Sequence, residues 1–124
     1  MKKRSDSPDE IPFEEQLKKD LARQLNATLS ELVATNLLTE QVKRILTLRM
    51  GLEDGKCYTL NEVAQILSKS PEWIRRCQHF ALKTCTKNLR FHRLLSEYDQ
   101  VMKLPRGLTY YLYRYKSDRE NGPR

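Results

Sequence analysis

Two helix-start signals stand eleven residues apart, and between them they leave room for only one short helix. The first is Thr59-Leu60-Asn61-Glu62. In such a capping box the threonine oxygen takes one free helix N–H and the glutamate reaches back to another. The second is Ser70-Pro71-Glu72, with Ser as N-cap, Pro at the first helical position and a carboxylate at the positive end of the helix dipole. Ser68-Lys69-Ser70 is the break. A helix of about two turns, a tight turn and a longer helix therefore follow in order, which is the spacing of a helix-turn-helix.

The apolar pattern supports this reading. The short helix buries Leu60, Val63, Ala64 and Leu67, and the small Ala64 lets the second helix cross closely, with Ile74 as its matching anchor. The second helix has apolar residues at Ile74, Cys77, Ala81, Leu82, Cys85 and Leu89, and carries Arg75, Arg76, His79, Lys83 and Lys87 on its other faces. Trp73 either covers the core edge or lies on the basic side. Lys69 occupies a turn position where an apolar residue would pack better.

Upstream, Phe13, Leu17, Leu21, Leu25, Leu29, Leu32 and Val33 form a helix stripe. Asn26, Thr28 and Ser30 weaken its middle, so one helix and two helices with a bend are both open. Thr39 is the N-cap of a further helix through Val42, Ile45 and Leu46, with Arg49 on a flank. It ends at Met50-Gly51, where Gly can take the left-handed C-cap conformation. Downstream, Leu104-Pro105-Arg106-Gly107 breaks any helix running from Phe91 to Met102. Residues 108–115 are rich in β-prone aromatics, with Tyr111, Tyr113 and Tyr115 on one strand face. They would pack on the domain, stack on bases or meet a partner protein.

The expected fold class is all-α, a small helical domain with a C-terminal helix-turn-helix, flexible tails and a short β element near 108–115. The chain divides into a disordered tail (1–11), an amphipathic helical segment (12–37), the helix-turn-helix domain (38–93) and a C-terminal extension (94–124).

Composition narrows the chemistry. The 124 residues carry 23 Lys plus Arg against 16 Asp plus Glu, a net charge of +7. Residues 68–93 hold seven of those basic residues and one acidic residue, Glu72, so nearly all the excess lies there. Such a stripe is either a solvated helix face or the footprint of a polyanion. Three Cys without a CxxC pair argue against a disulfide scaffold and a structural zinc site, and favour a reducing compartment. No apolar run reaches the length of a membrane span, and no signal peptide is evident at the start. There is no nucleophile–base pair, no metal cluster and no phosphate-cradling glycine loop. The expectation is a non-enzyme with no cofactor and no metal.

Arg44-Ile45-Leu46-Thr47-Leu48-Arg49-Met50-Gly51-Leu52-Glu53-Asp54-Gly55-Lys56, then Tyr58-Thr59-Leu60-Asn61-Glu62-Val63-Ala64, Ile74-Arg75 and Ala81-Leu82-Lys83 resemble region 4 of sigma-70 family factors, the bacterial RNA polymerase specificity subunits. The resemblance runs from about Leu38 to Leu89. It implies an all-helical domain that reads the upstream (−35) promoter element in double-stranded DNA and docks on the flap of the polymerase β subunit. The family's base-contacting positions fall on Pro71, Glu72, Arg75 and Arg76. Glu72 and Arg75 match the family; Pro71 replaces a base-reading Arg, and Arg76 replaces a Gln. Arg49, Thr59 and Leu60 match positions that touch the DNA backbone. Phe80 stands where a basic, activator-facing residue is common.

The chemistry of these side chains is compatible with those roles. An arginine can grip guanine by two hydrogen bonds, and a glutamate can accept from a cytosine amino group. Glu72 could equally be only a dipole-compensating residue. The same basic faces add His79 as an expected base contact, and Lys69 and Lys83 as expected backbone contacts. The family's separate region that opens DNA at the downstream (−10) element has no counterpart in residues 12–37, so the chain is not expected to initiate transcription alone. Docking on RNA polymerase core or on a second sigma-like subunit would supply the missing function. The amphipathic helix 13–33 either makes that docking or packs under the helix-turn-helix. A cytoplasmic, nucleoid-associated location follows. The alternative is an interaction module that mimics region 4 and has lost DNA reading, which Pro71 and Trp73 favour.

Overall fold

A computed structural model of the protein describes residues 11–112 of the 124. The expected N-terminal tail up to residue 10, Tyr113, Tyr115 and residues 116–124 lie outside the described residues. Five helices follow in order: α1 (Phe13–Ala34), α2 (Glu40–Met50), α3 (Leu60–Leu67), α4 (Pro71–Cys85) and α5 (Leu89–Met102). A sixth, α6, occupies residues 106–112. The fold is all-α over the described residues, and none of their helices is long and apolar enough to cross a membrane.

Each helix boundary has a local chemical cause. Thr39 Oγ1 accepts the Val42 N–H at 3.2 Å to start α2, and Gly51 ends it at φ +69°. The capping box of α3 is complete in both directions, Thr59 N–H to Glu62 Oε1 at 2.9 Å and Glu62 N–H to Thr59 Oγ1 at 3.1 Å. Ser70 Oγ accepts from Trp73 N–H at 3.1 Å, and Pro71 opens α4. Helix α1 is continuous, and Thr28 Oγ1 donates to Gln24 O at 2.9 Å, which satisfies a buried hydroxyl within the helix.

Two apolar clusters hold the helices. The larger joins Leu21, Leu25, Leu29 and Leu32 of α1 to Leu46 and Met50 of α2, Leu82 of α4, and Phe91, Leu95 and Tyr98 of α5. The smaller joins Ile45 and Leu48 of α2 to Val63 and Ala64 of α3 and Ile74 of α4. Helices α2 and α4 contribute to both, so the helix-turn-helix is welded to the body. Each fully buried Leu or Ile contributes roughly 1.5–3 kcal/mol by removal from water. The α1 stripe from Leu21 to Leu32 is therefore spent inside the domain, against α5, and is not presented for docking.

Two boundaries differ from the sequence expectation. Helix α4 stops at Cys85, and Leu89 belongs to α5, where it is exposed. The reason is polar: Thr86 Oγ1 donates to Leu82 O at 2.8 Å, and Asn88 Oδ1 accepts Phe91 N–H at 2.9 Å and so caps a new helix. The larger correction concerns 108–115, where the described part, through residue 112, is helix and not strand. Leu104, Leu108 and Leu112, at steps of four, are all buried in the larger cluster. That helical period outweighs the β-propensity of the tyrosines.

Candidate nucleic-acid interface

Helix α4 is held from behind by Ile74, which is fully buried, and by Gln78, Ala81 and Leu82. Its opposite face is thereby committed to solvent. Arg75 and Arg76 point there, with 55% and 74% of their side chains exposed. Glu72, one turn earlier, pairs with both: its carboxylate lies 2.5 Å from Arg75 Nη2 and 4.0 Å from Arg76 Nε. The hydrogen bond from Arg75, then its charge, hold the Glu72 carboxyl below its ordinary pKa, and the same bond raises that of Arg75. In the free protein this triad keeps the two guanidinium groups on the surface and partly neutralised.

Trp73 is half-buried against the smaller cluster, and the Lys69 ammonium sits 5.1 Å from its ring centroid. Trp73 thus covers the core edge. Lys69 uses its stem and charge to cover Trp73, which explains why a lysine is tolerated in the turn. Thr59 is exposed at the start of α3 beside the half-buried Leu60. Its backbone N–H is taken by Glu62, and its hydroxyl is engaged with Glu62 as well. Lys83 is exposed on the last turn of α4.

Two expected contact residues have partners inside the fold. Arg49 is not on a flank: it is 6% exposed. Its Nε donates to Gln78 Oε1 at 2.6 Å and its Nη1 to Tyr58 O at 2.8 Å. Burial pushes its pKa down from the ordinary value, and Cys57 nearby pushes it back up. Its guanidinium braces α2, α4 and the segment before α3, and Arg49 lines a cleft with Thr59, Leu60 and Arg75. His79 is exposed on α4, but its Nε2 lies 2.6 Å from the Tyr111 hydroxyl and the two ring centroids are 5.1 Å apart. In the free protein its ring anchors α6.

Sequence reasoning missed Gln78 and Arg106. Gln78 sits at the i+4 position from Ile74, on the buried stripe, which is a signal for a polar residue with an internal partner. Arg106 lines one cleft with Arg75 and His79, and only the α6 fold brings it there. Among the described residues, no group of three His, Cys, Asp or Glu could hold a metal ion.

A short capped helix, a left-handed turn at Ser68 and a second helix with a basic outer face define a helix-turn-helix domain. Residues 36–87 match the family described as Sigma-70, region 4. A 67-residue stretch, 54% of this chain, is 34% identical to "RNA polymerase sigma factor sigF, chloroplastic" of Arabidopsis thaliana. The chain spans 12% of that relative's length. No solved structure matches. The chain thus carries a sigma-70 region 4 domain, a DNA-binding, transcription-related module.

Proposed function

We propose that this chain is a region-4-type transcription factor without catalytic activity. It reads upstream promoter DNA with α4 and docks on RNA polymerase core, through the β flap, or on a partner sigma-like subunit. The observation that carries the reading is the exposed Arg75–Arg76 pair one turn inside an α4 that is fixed from behind. Helix-turn-helix recognition helices contact bases with their N-terminal residues. Each well-formed bidentate arginine–guanine pair supplies about 1–3 kcal/mol of discrimination. Thr59, Lys69 and Lys83 would contact the backbone. The docking half of the reading draws on an apolar groove of about 570 Å³ that adjoins the basic face of α4, lined by Leu37, Leu38, Val42, Trp73 and Phe80 with Arg76 at its edge. Phe80 is 72% exposed there. Such a protein works in the cytoplasm, at the nucleoid.

A second reading, a polymerase- or sigma-binding module with little DNA reading, is favoured by Glu72 neutralising both arginines and by Pro71 in place of a base-reading Arg. Footprinting with RNA polymerase core on promoter fragments separates the two, comparing wild type with Arg75→Ala/Arg76→Ala. Loss of an upstream footprint supports the first. Retained polymerase binding with no DNA dependence supports the second.

A further inference from the structure

We propose that α6 is a second DNA-contacting element, laid against α4 so that Arg106 adds a phosphate contact to those of the helix-turn-helix. The inference rests on the DNA-reading function proposed above. Arg75 and His79 of α4 and Arg106 and Tyr110 of α6 line a single cleft of about 920 Å³. Two guanidinium groups from different elements thus converge on one space.

The two elements are locked together. Leu108 and Leu112 are 1% and 2% exposed in the larger core cluster. The Tyr111 hydroxyl meets His79 Nε2 at 2.6 Å. Gly107 approaches so closely that a Cβ there would lie 3.3 Å from Gln78 Nε2. Gln78 is itself gripped by Arg49. The backbone of Arg106 is therefore carried at a fixed offset from that of Arg75, so only its side chain remains to be ordered when DNA arrives.

Its pairing differs from that of Arg75. Glu72 holds Arg75, whereas Arg106 is exposed and makes no ion pair among the described residues. The major groove is about 12 Å wide, so a helix lying in it has a phosphate ridge on each side. A guanidinium presented just beside the helix meets a phosphodiester there, which its planar fork can grip bidentately. Helix α6 does not act as a cover, because Arg75 and Arg76 remain 55% and 74% exposed with α6 in place.

The test uses the full chain and two short fluorescein-labelled duplexes, one recovered by the wild type from a randomised pool and one of scrambled sequence. Binding is titrated across a salt series. Arg106→Ala is expected to weaken both duplexes severalfold and to reduce the slope of log K against log salt by about 0.9, the value of one phosphate contact. Arg106→Lys should restore the slope, and Lys19→Ala, on exposed α1 surface, should leave it unchanged. Arg75→Ala should remove the preference for the selected duplex. An unchanged slope in Arg106→Ala, with Arg75→Ala impaired, overturns the role of α6 and leaves DNA reading by α4 standing. Tighter binding by Arg106→Ala overturns it too. If the wild type recovers no duplex, or Arg75→Ala binds like wild type, DNA reading itself fails and takes this inference with it. Arg106 is a surface residue, and matching melting curves establish that the variants are folded.

Discussion

Arg49 Nε donates to Gln78 Oε1 at 2.6 Å in the interior, joining residues 29 apart in sequence. The bond ties α2 to α4 directly behind the face that carries Arg75 and Arg76. The second Arg49 bond, to Tyr58 O, fixes the segment that leads into α3. One buried guanidinium thus sets the relative placement of all three helices of the helix-turn-helix unit.

Gln78→Leu removes the acceptor and leaves a buried charged donor. The expected loss is about 1–3 kcal/mol in urea unfolding, more than the removal of a single surface hydrogen bond. Arg49→Met should cost a comparable amount by stranding the Gln78 amide and Tyr58 O. Because each single change strands the other partner, the double variant Arg49→Met/Gln78→Leu should cost clearly less than the sum. Additive losses would show that the two side chains do not act as a unit.

Asp54, Glu62 and Glu72 each have a carboxyl held below its ordinary value. The leading causes are the Lys56 N–H for Asp54, the Thr59 N–H for Glu62 and the Arg75 guanidinium for Glu72. Their unfolded values are near 3.8 for Asp54 and 4.5 for the glutamates. The folded state therefore binds fewer protons than the unfolded state in the acid range. Stability from these groups is present in full above the unfolded values and is lost as pH falls through the folded ones. Thermal melting followed from neutral pH to pH ~3 should show a falling Tm that begins near pH ~4.5. Glu62→Gln should flatten part of that fall.

Gly51 and Gly55 both have positive φ, +69° and +79°, but their surroundings differ. A Cβ on Gly51 would lie 3.1 Å from backbone atoms of Gly55 and Lys56, which cannot swing aside. A Cβ on Gly55 would meet nothing within 4 Å. Gly55→Ala should therefore cost about 1–2 kcal/mol, the left-handed conformation alone. Gly51→Ala should cost more, since the clash adds to it. Equal losses in denaturant unfolding would contradict this reading.

The helix-turn-helix was legible because its signals are local: Thr59, Glu62 and Ser70 do at the backbone what their types announce, and Gly51 ends α2 where a left-handed residue is needed. Arg49 was misplaced because a charge on a helix flank gives no hint of an acceptor 29 residues downstream. The exposed pair Arg75–Arg76 could be read from periodicity around Ile74, but its pairing with Glu72 could not, since i+3 and i+4 spacing permits an ion pair without requiring one. Helix α6 was missed because three alternating tyrosines outweighed three leucines spaced by four, and the winner was decided by a core that only the fold creates.

That core gives α6 its sharpest test. Leu108 is 1% exposed and packs in the cluster that also holds α1 and α5. Leu108→Ala should cost about 2–5 kcal/mol, the range for a buried leucine that leaves a cavity. If 108–112 formed an appended strand outside the body, the same change would cost almost nothing. Tyr110→Ala, with that side chain 49% exposed, should be far milder. Tyr111→Phe deletes only the hydroxyl that meets His79, so it should lower stability by at most about 1.5 kcal/mol while leaving Leu108 and Leu112 seated. In a strand Tyr110 shares a face with Leu108, opposite Tyr111, so burying the tyrosine face would leave both changes mild, whereas the helix makes Leu108 severe and Tyr110 mild. Urea unfolding of the three variants decides between them.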